Sequence, residues 1–196
     1  AAQEDAVQAS GPMPGSAMPP LAVYAPDGPD AGLEFDVAES FGDGPCAVLF
    51  VHELTRNVAP LIRGIDRLGD NHAPLGLGVA IVALAADRSE AERRLIGASR
   101  SLRLARPMLV SVDGAAGPGA YALDRRAALT LVTGNGGRVV ASIAFTDTGR
   151  QDLDALRAAI EGVTGPMPDS PGELRRIARA RLPKDSEQLA ARAARL

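Results

Sequence analysis

The chain has 196 residues, 46% of them hydrophobic, 23% charged and only 3% aromatic, with no tryptophan. That length supports one substantial core and a small appendage, with the core built from Ala, Val, Leu and Ile. A net charge of −3 gives no electrostatic basis for nucleic-acid binding, no run reaches the roughly 18 apolar residues of a membrane span, and one cysteine, Cys46, permits no intramolecular disulfide.

Residues 1–20 are rich in Ala, Gly, Pro, Ser and Met without an apolar period, and read as a flexible leader. The polar start AAQEDAVQAS looks like what remains after signal-peptide removal, so export to the periplasm or another extracytoplasmic space is expected. A chain cut from a longer one is the alternative. Met13 and Met18 are isolated thioethers, weak ligands for copper.

From Leu21 strands and helices alternate. LAVYA (21–25) and GLEFDV (32–37) are short strands separated by a turn-rich segment. CAVLFV (46–51) is a continuous apolar run, as in a central strand covered on both faces. Leu61, Ile62, Ile65 and Leu68 then mark one face of a helix over about 57–68, with Thr55 or Asn57 as its cap. VAIVALAA (79–86) is a second buried strand. Ser89 is read as the cap of a helix to about Leu102, with Glu92 in the capping-box position.

MLVSVD (108–113) is a short strand, and the loop GAAGPG leads to a helical turn around Tyr121. ALTLVT (128–133) and RVVASIAF (138–145) are joined by GNGG, whose residues tolerate the positive φ of a tight hairpin. A helix over about 150–163 closes this domain, 21–164. The remainder, 165–196, holds two short helices, one capped by Ser170 ahead of Pro171 and Glu173, the other starting near Asp185 or Ser186. From Asp169 onward this tail carries a surplus of three positive charges, which suits either a solvated helical face or an acidic partner.

The order of elements over 19–164, the strand-to-helix passage PCAVLFVHELTRNVAP (45–60), Pro60 in the following helix and the GNGG hairpin together resemble the thioredoxin-like superfamily. The likeness is greatest to the TlpA/ResA-type and peroxiredoxin-like redoxin branch. The resemblance implies an α/β, three-layer thioredoxin-like fold with an N-terminal β-hairpin extension and a short helical C-terminal tail. Pro60 matches the helix proline of that superfamily, which places His52 and Thr55 where its two redox cysteines stand. Counting back from the hairpin puts Ala128 at the position of its cis-proline.

All three signature positions have therefore changed. Disulfide exchange needs a thiolate at the helix N-terminus, where the amides and helix dipole lower its pKa, and a second thiol one turn later. His52 and Thr55 supply neither. A cis bond before Ala128 would cost about 3 kcal/mol, so a trans peptide is expected. Cys46, at the start of its strand, reads as a structural thiol.

The residues His52, Glu53, Thr55, Arg56 and Ala128 form the candidate binding groove, at the end of a strand where open α/β sheets often bind ligands. No metal site is expected, because His72 is the only other histidine and HELTR lacks the second His of a zinc-protease motif. Acid–base catalysis by His52 with Glu53 or Asp113, and with Ser111 or Thr55 as nucleophile, lacks a nucleophile elbow around either hydroxyl. GAAGPG and GNGG follow no phosphate-binding pattern, and Arg125 and Arg126 read as a solvated pair. The sequence thus points to a redox-inactive thioredoxin-fold module with no cofactor, binding a protein or peptide. A ligand- or metal-handling protein, or a non-thiol enzyme built on His52, is the alternative.

Overall fold

The segment CAVLFV organises the molecule because it is apolar at every position and covered on both sides. In the computed structural model, which describes residues 10–149 and 151–180, β3 (Cys46–Val51) is buried throughout. The other strands are β1 (Ala22–Tyr24), β2 (Glu34–Asp36), β4 (Gly78–Ala83), β5 (Leu109–Ser111), β6 (Leu129–Asn135) and β7 (Arg138–Phe145). They form one sheet in the order β2-β1-β5-β4-β3-β6-β7, with β3, β4 and β5 parallel and the remaining pairs antiparallel.

The helices are α1 (Val37–Phe41), α2 (Ala59–His72), α3 (Arg88–Leu102), α4 (Asp152–Thr164) and α5 (Pro171–Ala180). Strands β3, β4 and β5 step across the sheet in one direction, so their right-handed crossovers leave α2 and α3 on the same face. There Leu61, Ile62, Ile65, Leu95, Leu156 and Ile160 meet Leu49, Ile81, Leu129 and Leu131. The opposite face packs Val48, Phe50, Val82 and Val132 against Leu21, Val37 and Tyr121. Long helices thus cover one side of the sheet, while α1 and irregular chain cover the other. No helix among the described residues is long and apolar enough to cross a membrane.

The strands, the closing helix and the Ser170 cap, which accepts from the Glu173 amide, follow the sequence reading. The hairpin does too, its two-residue turn being Gly136–Gly137, both at positive φ. Several local expectations need correction. α3 is capped by Asp87, whose carboxylate accepts from the Glu90 amide at 2.9 Å, so Ser89 lies inside the first turn and Glu92 is no capping-box partner. Neither Thr55 nor Asn57 caps α2. Val58 occupies that place without a side-chain bond, its carbonyl accepting from Leu61 and Ile62, and Pro60 has no N–H to satisfy. α1 is additional to the expected elements; Asp36 caps it by accepting from the amides of Ala38 and Glu39.

Part of the segment read as a leader is built into the fold. Met18 donates to Gly137 O, Val139 to Ser16 O and Gly15 to Val139 O, so this stretch lines the edge of β7. Ser142 Oγ donates to Pro12 O, and Ser10 is buried. Composition suggested mobility, but these bonds are made to residues more than a hundred positions away. Residues 1–9 and the helix expected near Asp185 lie outside the described residues.

Candidate functional site

β3 delivers His52 to the end of the sheet. The His52 amide donates to Ala128 O at 3.1 Å and the Ala128 amide donates to Phe145 O at 2.8 Å, so the β3–β6–β7 ladder extends one step beyond the strands. The described residues contain no cis peptide, as expected at Ala128. Glu53 and Thr55 form a tight turn, the Thr55 amide donating to Glu53 O at 3.2 Å, and Glu53, Thr55 and Arg56 are exposed.

The His52 ring points into a polar chain that the sequence did not reveal. Its Nε2 lies 3.0 Å from Thr130 Oγ1, which lies 3.0 Å from Ser10 Oγ, which accepts from the Asp124 amide at 3.0 Å. Because the Asp124 N–H is a fixed donor, one direction uses every hydroxyl proton: Ser10 donates to Thr130, and Thr130 donates to a neutral His52 Nε2. Burial pulls the His52 pKa below its ordinary value, with the Asp124 charge opposing. Asp124 is itself held below the usual carboxylate range, chiefly by hydrogen bonds from the Arg126 side chain and amide. Arg126 pairs with Asp124 while staying exposed, which fits the solvated reading.

A protonated His52 would have to donate, and the chain would reverse and leave a Ser10 proton without this acceptor. A folded-state pKa below the unfolded value of about 6.5 means stability present above pH 6.5 is lost as pH falls through the window beneath it. Thermal melts should therefore show the protein less stable near pH 5 than near pH 7.5, with a smaller difference in His52→Gln. Some slope should persist from His72, whose pKa is also lowered by burial and whose Nδ1 meets Thr164 Oγ1 at 2.9 Å. Thr130→Val keeps the shape and strands two polar partners, and should cost about 1–3 kcal/mol.

A cleft of about 250 Å³ opens beside His52 and Glu53, between the ends of β3 and β4 and the first turns of α3. Its polar rim holds Glu53, Asp87, Glu90 and Arg94, and Arg94 donates to Leu54 O at 2.8 Å. Thr55, Arg56 and Ala128 do not line it, so the groove expected from sequence is divided. Only His52 and Glu53 face the cavity. Ser111 Oγ accepts locally from the Asp113 amide, and neither residue partners His52.

Cys46 occupies the other end of β3, six residues and roughly 20 Å from His52. It is 4% exposed, and burial raises its thiol pKa to about 11 against a backbone hydrogen bond from Gly134. No group of three or more His, Cys, Asp or Glu among the described residues could hold a metal ion.

No family model matches the sequence, and no curated protein matches it. Solved structures do match. One, assigned as the thiol:disulfide interchange protein DsbE of Chlorobium tepidum, is 14% identical with a TM-score of 0.62 over 79% of this chain and 99% of that one. Peroxidoxin BcpB of Mycobacterium tuberculosis is 14% identical with a TM-score of 0.51 over 88% and 99%. A yeast mitochondrial 1-Cys peroxiredoxin is 12% identical with a TM-score of 0.53 over 81% and 83%. At these identities the likeness carries the fold alone: the chain has the thioredoxin-like fold of these redoxin proteins, with a single cysteine and hence no CxxC pair.

Proposed function

We propose that this protein is a redox-inactive thioredoxin-fold module that binds a protein or peptide partner through the surface around His52. The observation that supports it best is the position of Cys46. The one thiol is buried at the far end of β3, where it lines a separate cavity of about 370 Å³, and with a pKa of about 11 almost none of it is thiolate at neutral pH. Where a redoxin would present its nucleophile, this chain presents a half-buried imidazole whose Nε2 is engaged by Thr130. That engagement also argues against His52 as a general base.

The cleft rim adds a preference. Glu53, Asp87 and Glu90 outnumber Arg94, whose guanidinium is already bonded to Leu54 O, so a basic side chain of the partner is favoured. Thr55, Arg56 and Ala128 would extend the contact along the other side of His52, and the basic C-terminal segment is a second docking surface in this reading.

The test has two arms. Dithiothreitol-driven insulin reduction and peroxide consumption by the wild type should equal those of Cys46→Ser and of buffer. On an array of short peptides the wild type should retain a basic subset, and Glu53→Lys/Glu90→Lys should lose it with an unchanged melting temperature. Thiol-dependent turnover abolished by Cys46→Ser, or peptide retention indifferent to the charge reversal, would overturn the proposal.

A further inference from the structure

At the opposite end of α3 from the cleft, a second cavity of about 440 Å³ lies between α2 and the chain leaving α3. Three exposed guanidiniums line it: Arg63 and Arg67, one turn apart in the middle of α2, and Arg103, which ends α3. None of the three has a hydrogen bond or ion pair among the described residues. Two carboxylates also line the cavity, but both are already occupied. Asp66 accepts from the amides of Ala105 and Arg106 and from the Arg106 guanidinium, which also reaches Asp70 at 2.9 Å. The lining carries one surplus positive charge, and two once the Arg106 that pairs with both carboxylates is counted, on a protein whose net charge is −3.

Helix polarity does not account for the cluster. The partial negative charge at the end of α3 would favour Arg103 alone. Arg63 and Arg67 lie mid-helix as a like-charged i,i+4 pair, which weakens a helix. Arg103 caps α3 in a left-handed backbone, at φ 54, its amide donating to Arg100 O and Ser99 O, and its side chain has no partner among the described residues. The groups are guanidiniums, whose planar forks pair with phosphate oxygens two at a time. The lining offers little apolar surface, only Leu102 and Ala105 besides polar residues and Ser101.

We infer that this cavity is a binding site for a compact, multiply charged anion of the diphosphate class, gripped by Arg63, Arg67 and Arg103. The site is independent of the peptide reading, since the 15-residue helix α3 separates the two by roughly 20 Å.

Pyrophosphate is the probe, titrated calorimetrically at low ionic strength, with sulfate at matched ionic strength as the control. Saturable pyrophosphate binding is expected, with sulfate much weaker, and Arg63→Gln/Arg67→Gln should raise the dissociation constant about tenfold or more. Arg125→Gln, an exposed arginine outside this cavity, should bind as the wild type does. Amide chemical shifts of the wild type supply a readout that needs no variant: pyrophosphate should move α2 near Arg63 and Arg67 and the turn at Arg103. Non-saturable binding, equal response to sulfate, an unaffected double variant, or shifts confined elsewhere would each overturn the site.

Discussion

Replacing Tyr121 with alanine is expected to remove about 3–5 kcal/mol of stability, read from urea denaturation. Tyr121 is fully buried, and its ring meets Phe50 edge-on with centroids 4.9 Å apart. It packs on the sheet face that, among the described residues, no long helix covers. Its hydroxyl donates to Pro19 O at 2.9 Å, and burial pushes its pKa up. Tyr121→Phe separates the two contributions, losing the hydrogen bond and keeping the ring, with an expected loss of about 1 kcal/mol. Equal losses in the two variants would show that the anchor to Pro19 matters more than the packing.

Asp66→Ala should cost about 3 kcal/mol, the lower end for breaking a buried ion pair. Asp66 is 5% exposed and ties α2 to the chain leaving α3. Its carboxylate takes the Ala105 amide at 2.9 Å, the Arg106 amide at 3.2 Å and the Arg106 guanidinium at 3.3 Å. Gly69 makes this possible, since a Cβ there would stand 2.9 Å from the guanidinium carbon. Truncation strands two amides, but the guanidinium keeps Asp66 O and Asp70, which limits the loss. Asp66→Asn should lose less, about 1–2 kcal/mol, because an amide oxygen still accepts. A change below about 1 kcal/mol in Asp66→Ala would mean that the carboxylate contributes no net stability.

Much of the fold was legible because it is written in local periods. The apolar run of β3, the stripe of Leu61, Ile62 and Ile65 on α2, and the two glycines of the β6–β7 turn each follow from neighbours within one or two turns of chain. The caps were less legible, since Asp87, Ser89, Thr55 and Asn57 are all competent cap residues and only the path of the backbone chooses among them. α1 is five residues long and too short to show a period.

The candidate site divides in the same way. Without a second cysteine, no backbone arrangement could supply an intramolecular dithiol, and the strand-to-helix passage by itself puts His52 at the end of the sheet. The sequence could not show where the imidazole points, because Thr130 is 78 residues away and Ser10 lies 120 residues from Thr130. Nor could it show that the cleft turns toward α3 and leaves Thr55, Arg56 and Ala128 outside. Composition and periodicity determined the elements, the absence of an intramolecular dithiol and the place of His52 at the end of the central strand. Tertiary structure alone decided which polar groups meet and which way the cleft opens, because those contacts join positions that only the packed sheet brings together.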